Sequence, residues 1–423
     1  MRENTNLLNL INSKYSVYFI YLYFVFSAMK GATGMLWQEI PFTIISDVGI
    51  ILVSLECLGR RINGLSKFIL ASIFIITLTS MFNLYSVSVF ISGLRWQLFY
   101  MLAFIVGSSK RFSDWKFFDM MFWAVFITDL IGVFLYFMPP SWYMDYKFRY
   151  LELDYITDHM WLEMSRLSSF WPYPYWVSYG SAICYSYVLC QYYYGKMKPK
   201  KVLFFILFFL FVMLLAQQRL PLAFVGGATL VLLFNSMSSH NSAHKRFVWT
   251  FLCIMALILG MLLIVLPMIV DVSILEFGIK KIETMFENSD SSSGDSFLTE
   301  RFGCIEGIRF KGVTLFGDGL GIYSLNPDAS YSLLDNMWLT IFVESGIFGL
   351  FSYITIFLCV FIKGFRNLKY NLFELGILCM FIVGMLGANC LSKNTQHAIV
   401  LWLCCGRIFN RYCLDYKKKN IQI

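Results

Sequence analysis

Long apolar runs separated by short polar connections make up most of the chain, and two longer polar stretches interrupt them. A helix that spans a membrane needs about 20 mostly apolar residues. On that measure the sequence predicts about twelve transmembrane helices. They cover, approximately, residues 15–35, 40–58, 66–83, 91–107, 117–138, 172–194, 201–216, 220–236, 247–270, 337–362, 371–389 and 395–410.

The two longer polar stretches divide the predicted helices into blocks. Residues 1–270 contain the first nine helices and a first polar loop at about 139–170. Residues 271–336 form a long polar loop, and residues 337–423 contain the last three helices and a basic tail. A polar loop of this length, in a chain of short connections, usually carries function. We therefore expect residues 271–336 to form an active-site loop.

The composition agrees with a membrane protein. Of the 423 residues, 58% are hydrophobic and 14% are charged, whereas a soluble domain carries about 25% charged residues. The net charge of +8 lies mainly in connections between helices, so we expect no nucleic-acid partner. The 11 cysteines lack the Cys-x-x-Cys or Cys/His spacing of a zinc site, and we expect no metal and no cofactor. The predicted fold class is an all-α polytopic membrane protein.

The distribution of Lys and Arg predicts the orientation. If the N-terminus lies in the cytoplasm, the cytoplasmic connections contain most of the 34 basic residues, as the positive-inside rule requires. Both long polar loops then lie outside the cytoplasm, and both termini lie inside it.

Four arginines are candidates for binding an anion at the outer face. Arg166 stands beside a Pro/aromatic turn, or it contacts lipid phosphates at the interface. Arg219 lies between two apolar runs, where a buried guanidinium needs a partner and suits bidentate phosphate recognition. If that break is a loop, Arg219 is an ordinary outer-face arginine. Arg301 and Arg309 lie in an amphipathic part of the long loop, or on a solvated charged face.

The long loop ends with acidic candidates. Residues 316–321 form a glycine-rich turn that contains Asp318, and free N–H groups of such a turn are able to face an anion. The turn follows no strand of a βαβ unit, so it is not a nucleotide-binding fingerprint. Asp335 and Asn336 immediately precede a predicted helix. They are either a general base with a neighbouring polar ligand, or simply a helix N-cap.

Three ionisable residues lie inside predicted helices. Asp47 and Asp129 are either acids of a transport pathway or internally paired structural groups, and the sequence does not separate these alternatives. His397 is ambiguous in the same way.

In their order and sidedness, several segments resemble the O-antigen polymerase/O-antigen ligase superfamily of bacterial envelopes. That family has an Arg-Leu-x-Gly-Phe-x-x-x-Pro-like segment, a helix ending in Ser-Arg, and a long periplasmic loop with an early Arg and a Phe-Gly-x-Gly-x-Gly turn. A His-Asn or Asp-Asn pair then opens a helix that continues into Glu-x-Gly-Ile-x-Gly-Leu. The matching positions here are residues 166–174, Gln218-Arg219, Arg301, residues 316–321, Asp335-Asn336 and residues 344–350.

The chain departs from the family pattern at three places. Ser replaces the usual Gly after Leu167, and Gln218 replaces Ser. Asp335 stands where ligases typically have His, which favours a polymerase over a ligase.

The resemblance implies a glycosyltransferase of GT-C-like architecture in the bacterial inner membrane, with both termini cytoplasmic. Such an enzyme polymerises undecaprenyl-pyrophosphate-linked oligosaccharide units into O-antigen or a related surface polysaccharide at the periplasmic face. The implied partners are this lipid-linked oligosaccharide, membrane lipids and a chain-length regulator protein. The implied catalytic residues are Asp335, Arg219 and Arg301, and the implied substrate-binding residues are Arg166, Arg309, Asp318, Asn336, Trp171 and Tyr173.

Two alternatives stay open. An O-antigen ligase would transfer glycan to lipid A-core by the same chemistry. A flippase for lipid-linked oligosaccharides would also have about twelve helices, but short loops and related halves are typical of that class. For Trp171 and Tyr173, anchoring at the membrane interface explains the aromatic side chain as well as stacking on a sugar does.

Overall fold

The fold is helical throughout the part of the chain that the computed structural model describes. This part comprises residues 15–29, 42–58, 63–150, 166–171, 174–216, 221, 222, 224–226, 228, 229, 249, 315–325, 336–386, 391 and 396–420. These residues form helices and turns and no β-strand. The helices are α1 (Tyr15–Ala28), α2 (Phe42–Leu58), α3 (Gly64–Phe82), α4 (Val87–Gln97), α5 (Ala103–Gly107), α6 (Lys116–Phe137), α7 (Ser141–Tyr150), α8 (Pro174–Tyr193), α9 (Pro199–Ala216), α10 (Ile322–Leu325), α11 (Met337–Phe365), α12 (Leu368–Gly384), α13 (Gln396–Phe409) and α14 (Arg411–Asn420).

Within these residues, five helical segments are long and apolar enough to cross a membrane. They are Gly64–Phe82, Val87–Gly107, Lys116–Phe137, Pro199–Ala216 and Met337–Phe365. Large apolar side chains such as Phe74, Phe134 and Phe351 remain exposed on them, as expected for surfaces that face lipid. The prediction of an all-helical membrane protein is confirmed at this level. The count of twelve helices and the position of the long loop stay predictions.

The span predicted at 91–107 falls within the candidate span Val87–Gly107, but its α-helix is interrupted by a 3₁₀ turn. α4 ends at Gln97, and a 3₁₀ turn (Phe99–Leu102) separates it from α5. The hydroxyl of Tyr353 donates to the Gln97 carbonyl at 2.7 Å, and the N–H of Met101 donates to the Leu98 carbonyl at 3.0 Å. Because a side chain of α11 occupies the Gln97 carbonyl, the ladder continues there with the shorter 3₁₀ spacing.

One end of the bundle, which we call the loop end, contains the starts of α8 and α11 and the ends of α9 and α12. The Met337 N–H donates to the Met385 carbonyl at 2.9 Å, which joins α11 to α12. A Cβ on Gly384 would lie 2.7 Å from the Tyr179 hydroxyl, so α12 also touches the start of α8. Residues 166–171, which precede α8, bind the end of α9.

The opposite end, which we call the basic end, contains the end of α13, α14, and the start of α12. Glu374, Arg407 and Lys417 lie there with fully buried side chains. Arg407 Nε and Lys417 Nζ donate to the same oxygen of Glu374, Oε1, at 3.0 and 2.6 Å. Arg407 also donates to the carbonyls of Phe112 and Asp114. These contacts join the segment at residues 112–114, which precedes α6, with the three helices α12, α13 and α14.

Three further lysines of this end lie over aromatic rings. Lys110 lies over the ring of Tyr412, Lys196 over Trp115, and Lys363 over Phe409. The positive-inside rule predicts that basic connections between helices lie on one side of the membrane, and the structure groups these three at one end of the bundle.

Candidate functional site

The glycine-rich turn at 315–321 has a backbone that requires glycine. Gly317, Gly319 and Gly321 have φ values of 74°, 115° and 86°, which L side chains rarely adopt. The turn is buried from Gly317 onward, except at Asp318, which is half-buried. The spacing that the sequence analysis noted therefore has a structural cause: every second residue takes a left-handed or related conformation.

The turn docks onto a kink in α11. Gly346 interrupts this helix with φ 68° and ψ −167°, so nearby backbone groups lose their helical partners. The Asp318 and Gly319 N–H groups donate to the carbonyls of Val343 and Glu344 at 2.9 and 3.1 Å. In return, the Phe348 N–H donates to the Leu315 carbonyl at 3.0 Å. The turn thus satisfies the polar backbone that the kink exposes inside an apolar helix.

The buried carboxylate of Glu344 fixes the turn from the other side. One oxygen accepts the Tyr323 N–H at 2.8 Å, and the other accepts the Gly321 N–H at 2.9 Å. The side-chain amide of Gln97 also donates to Glu344. A buried carboxylate is tolerated when donors surround it. Glu344 is therefore a clamp that joins α4, α11 and the turn.

Helices α3 and α4 complete the seat of the turn. The Asn83 amide, just beyond α3, donates to the Gly317 carbonyl at 3.0 Å. Gly93 of α4 lies against Gly321, and a Cβ there would be 2.5 Å from the Gly321 nitrogen. Three helices thus hold the turn, backbone against backbone.

Asp318 is a predicted site residue, and it lies within this turn. Its Oδ2 accepts the Tyr323 hydroxyl at 3.0 Å, and its own N–H is bound to α11. The side chain is half-buried, so part of the carboxylate stays accessible. A carboxylate on a rigid backbone is suited to accepting a hydrogen bond from a ligand hydroxyl, or its proton.

Residues 166–171 form a second segment at the loop end that hydrogen bonds hold in place. The Leu167 N–H donates to the Leu215 carbonyl at 3.1 Å, which places half-buried Arg166 beside the end of α9. Ser169 has a φ of 52°, and its hydroxyl donates to the Thr128 carbonyl at 2.8 Å. Strain at a non-glycine residue persists only where the surroundings hold it in place.

Tyr143 of α7 supports this segment from the predicted first loop. Its hydroxyl donates to the Ser169 carbonyl at 2.6 Å. Burial raises the pKa of Tyr143 to about 12, so the hydroxyl stays protonated at physiological pH and keeps donating. The predicted loop at 139–170 therefore contains a helix, α7, with a structural role.

Two other candidates make contacts within the fold. The ring of Trp171 is buried and meets Trp176 edge to face at 5.4 Å, so it does not face solvent. The buried Asn336 caps α11, because its side chain accepts the Leu339 N–H at 3.1 Å and donates to the Leu386 carbonyl at 3.1 Å. The N-cap alternative from the sequence accounts for these Asn336 contacts.

The structure also pairs both intramembrane aspartates. Asp47 forms an ion pair with Arg95, and the Ser181 hydroxyl donates to Asp129 at 2.7 Å. Of the two alternatives for these residues, internal pairing describes what the structure shows. His397 lines a small buried cavity together with Asp129 and Trp171.

Five predicted site residues lie outside the described part of the chain: Arg219, Arg301, Arg309, Asp335 and Tyr173. In sequence, Arg219 follows Ala216, the last residue of α9, by three positions. Within the described ranges, no three His, Cys, Asp or Glu side chains come together as a metal site would require.

Glu344 and Gln97 are the polar residues whose roles the sequence analysis missed. In the sequence, Glu344 is the first position of the Glu-x-Gly-Ile-x-Gly-Leu segment. A carboxylate inside an apolar run is itself a signal, because its burial requires named partners. Nothing local indicates that Gln97, 247 positions away, is one of them.

Comparison with known proteins gives no assignment. No protein-family model matches the chain, and no curated protein matches it.

Replacing Gly346 with alanine tests the seat of the turn. Its positive φ disfavours any side chain, and a new Cβ would lie 2.5 Å from the Leu315 carbonyl oxygen. We expect a loss of about 2 kcal/mol or more in the free energy of unfolding. Thermal unfolding of the purified protein in detergent measures this loss.

Gly376→Ala is the matched control, since it lies in α12 and a Cβ there meets nothing within 4 Å. Alanine at this helical position is expected to be neutral or stabilising by about 0.5–1 kcal/mol. Equal effects of the two substitutions would contradict the docking described above.

Proposed function

We propose that the protein is a glycosyltransferase that polymerises oligosaccharide units carried on a lipid pyrophosphate. One observation carries the proposal. The turn at 316–321 and the segment at 344–350, two of the motifs in the family resemblance, form a single hydrogen-bonded unit through Glu344 and the Gly346 kink. Sequence segments that build one unit are expected to be retained together in a family.

A second observation supports it. Ser169 occupies the position where the family motif Arg-Leu-x-Gly-Phe has glycine, and its backbone φ is 52°. Glycine adopts a left-handed conformation without strain, which would explain a glycine at this position of the family motif. The segment at 166–171 and the glycine turn both lie at the loop end.

In the proposed reaction, the acceptor hydroxyl oxygen attacks C1 of the first sugar of the growing glycan. The new C1–O bond forms as the bond from C1 to the pyrophosphate oxygen breaks. The hydroxyl proton passes to a carboxylate, and the lipid pyrophosphate leaves with the bonding electron pair. Preorganised cations stabilise the charge that develops on this leaving group.

The chain offers groups for both tasks. Arg166 lies beside the end of α9, and Arg219 follows that helix in sequence, so these two arginines are the proposed pyrophosphate ligands, together with Arg301 and Arg309 of the long loop. Asp335 is the first candidate for the base and Asp318 the second. Asp318 has the described geometry: a fixed backbone, a Tyr323 hydroxyl on one oxygen and an accessible remainder.

The test uses a strain from which the gene is deleted, complemented with wild-type chain or with Arg219→Ala, Asp335→Asn or Asp318→Asn. Electrophoresis of the surface polysaccharide shows how many repeat units each strain adds. We expect deletion and Arg219→Ala to leave the lipid core capped by a single unit, with no ladder. If Asp335 is the base, Asp335→Asn is expected to lower the rate of polymerisation by about 10²-fold or more; if Asp318 is the base, Asp318→Asn is expected to do so.

Asp145→Asn is the matched control, because Asp145 is an exposed aspartate of α7; it should give a normal ladder. Loss of every cap with polymer retained on the carrier lipid would instead identify a ligase. Repeat units trapped at the cytoplasmic face would identify a flippase and overturn the proposal.

A further inference from the structure

A groove at the basic end lies between α3 and α11, against the end of α13. Its volume is about 460 Å³. Apolar side chains form most of its wall, among them Leu65, Phe68, Ile362 and Phe409. A polar metabolite would find few hydrogen-bond partners on such a wall.

Two cations stand at the mouth of this groove. Lys363 and Arg366 are exposed residues at the end of α11, and none of the described residues that line the groove is a carboxylate. The ammonium of Lys363 lies 4.3 Å from the centre of the Phe409 ring, which holds it over the apolar wall. The mouth is therefore suited to a negative group attached to an apolar body.

The uncharged part of the groove is shorter than one membrane leaflet. Along α11 it runs from Thr355 to Ile362, which at 1.5 Å per residue is about 10 Å, and along α3 the lining covers residues 64–68, about 6 Å. The hydrocarbon core of a bilayer is about 30 Å thick, so this wall has room for the part of an acyl chain nearest the headgroup. The charged mouth then falls at the level of the lipid headgroups.

We propose that this groove binds one anionic phospholipid from the leaflet at the basic end. Its phosphate contacts Lys363 and Arg366, and an acyl chain lies along α3 and α11. Charge complementarity and the apolar wall beside the two cations select this occupant over a free anion, which would leave the wall empty. The site is independent of the proposed polymerase reaction, because it lies at the end of the bundle opposite the glycine turn.

Native mass spectrometry of the full-length protein tests the proposal. The protein in detergent is titrated with phosphatidylglycerol, with phosphatidylcholine of the same acyl chains, and with inorganic phosphate alone. Wild type is expected to retain one phosphatidylglycerol with an affinity at least tenfold above that for phosphatidylcholine. Inorganic phosphate is expected neither to bind nor to displace the lipid.

Two variants remove the site in different ways. Lys363→Gln/Arg366→Gln removes the charge, and we expect the preference for phosphatidylglycerol to fall by tenfold or more. Gly64→Phe keeps the charge but adds a ring at a lining residue of the groove, where a new Cβ meets nothing within 4 Å; it should weaken both lipids. Because these changes are unrelated, a folding defect in one leaves the other as a test.

Lys418→Gln/Lys419→Gln is the matched control, since it removes two exposed cations of α14 outside the groove. It should stay within twofold of wild type. An equal loss in this control would mean diffuse attraction to a basic surface, and unchanged binding in both groove variants would mean another site. Displacement of the lipid by inorganic phosphate would mean a simple anion site. Each of these results would overturn the proposal.

Discussion

Glu344→Ala is expected to detach the glycine turn from the bundle and to abolish the proposed polysaccharide polymerisation. The substitution leaves the N–H groups of Gly321 and Tyr323 and the amide of Gln97 without their acceptor. Each buried donor left unpaired costs about 1–3 kcal/mol, so for three donors we expect a loss of about 3–9 kcal/mol. Thermal unfolding in detergent and the polysaccharide ladder of the complemented strain measure the two effects.

Glu344→Gln and Ile347→Ala are the controls for this result. Glutamine keeps one acceptor oxygen, so its effect should lie between those of wild type and alanine. Ile347 lies on the same helix but is 44% exposed, and its truncation should change stability by less than about 1 kcal/mol. A wild-type ladder from a stable Glu344→Ala protein would show that the docked turn is not part of the active site.

Glu374→Ala is expected to destabilise the basic end by about 3–5 kcal/mol. Removal of this carboxylate leaves Arg407 and Lys417 fully buried with no described carboxylate as partner. Breaking a buried ion pair on one side is costly because the remaining charge is uncompensated. The midpoint of thermal unfolding should fall clearly, and the yield of folded protein from membranes should fall with it.

Lys417→Met separates charge balance from the loss of a contact. It leaves Arg407 and Glu374 as a one-to-one pair, joined at 3.0 Å, and it removes the excess positive charge. We therefore expect a change of about 1 kcal/mol or less. If Lys417→Met were as damaging as Glu374→Ala, packing rather than charge balance would explain the cluster.

Hydropathy predicted several helices to within a few residues. The predictions at 66–83, 117–138 and 201–216 correspond to α3 (Gly64–Phe82), α6 (Lys116–Phe137) and α9 (Pro199–Ala216). This agreement has a simple cause: a helix that crosses hydrocarbon must be apolar along its whole length, so its signal is local and strong. Helix α7 was missed because its polar sequence carries no such signal.

The breaks inside apolar runs were not predictable in the same way. The 3₁₀ turn after Gln97 exists because Tyr353, 256 positions away, binds the Gln97 carbonyl. The kink at Gly346 is stable because the turn at 315–321 occupies the backbone groups that it frees. A glycine in an apolar run allows a kink, but the kink is stable only when another segment, here the turn at 315–321, binds the freed backbone groups.

Hydropathy along the chain was enough to predict a helical membrane protein, and local patterns identified the glycine-rich turn and the acidic helix start as candidate chemistry. The tertiary structure decided what these residues contact. It made Glu344 a clamp, gave Asn336 the contacts of a helix cap, paired Asp47 with Arg95 and left Asp318 accessible. The physical reason is the sequence separation of the interacting residues. Hydropathy depends on residues that are neighbours in sequence, whereas the donors that satisfy a buried polar group are distant in sequence and come close only in the folded chain.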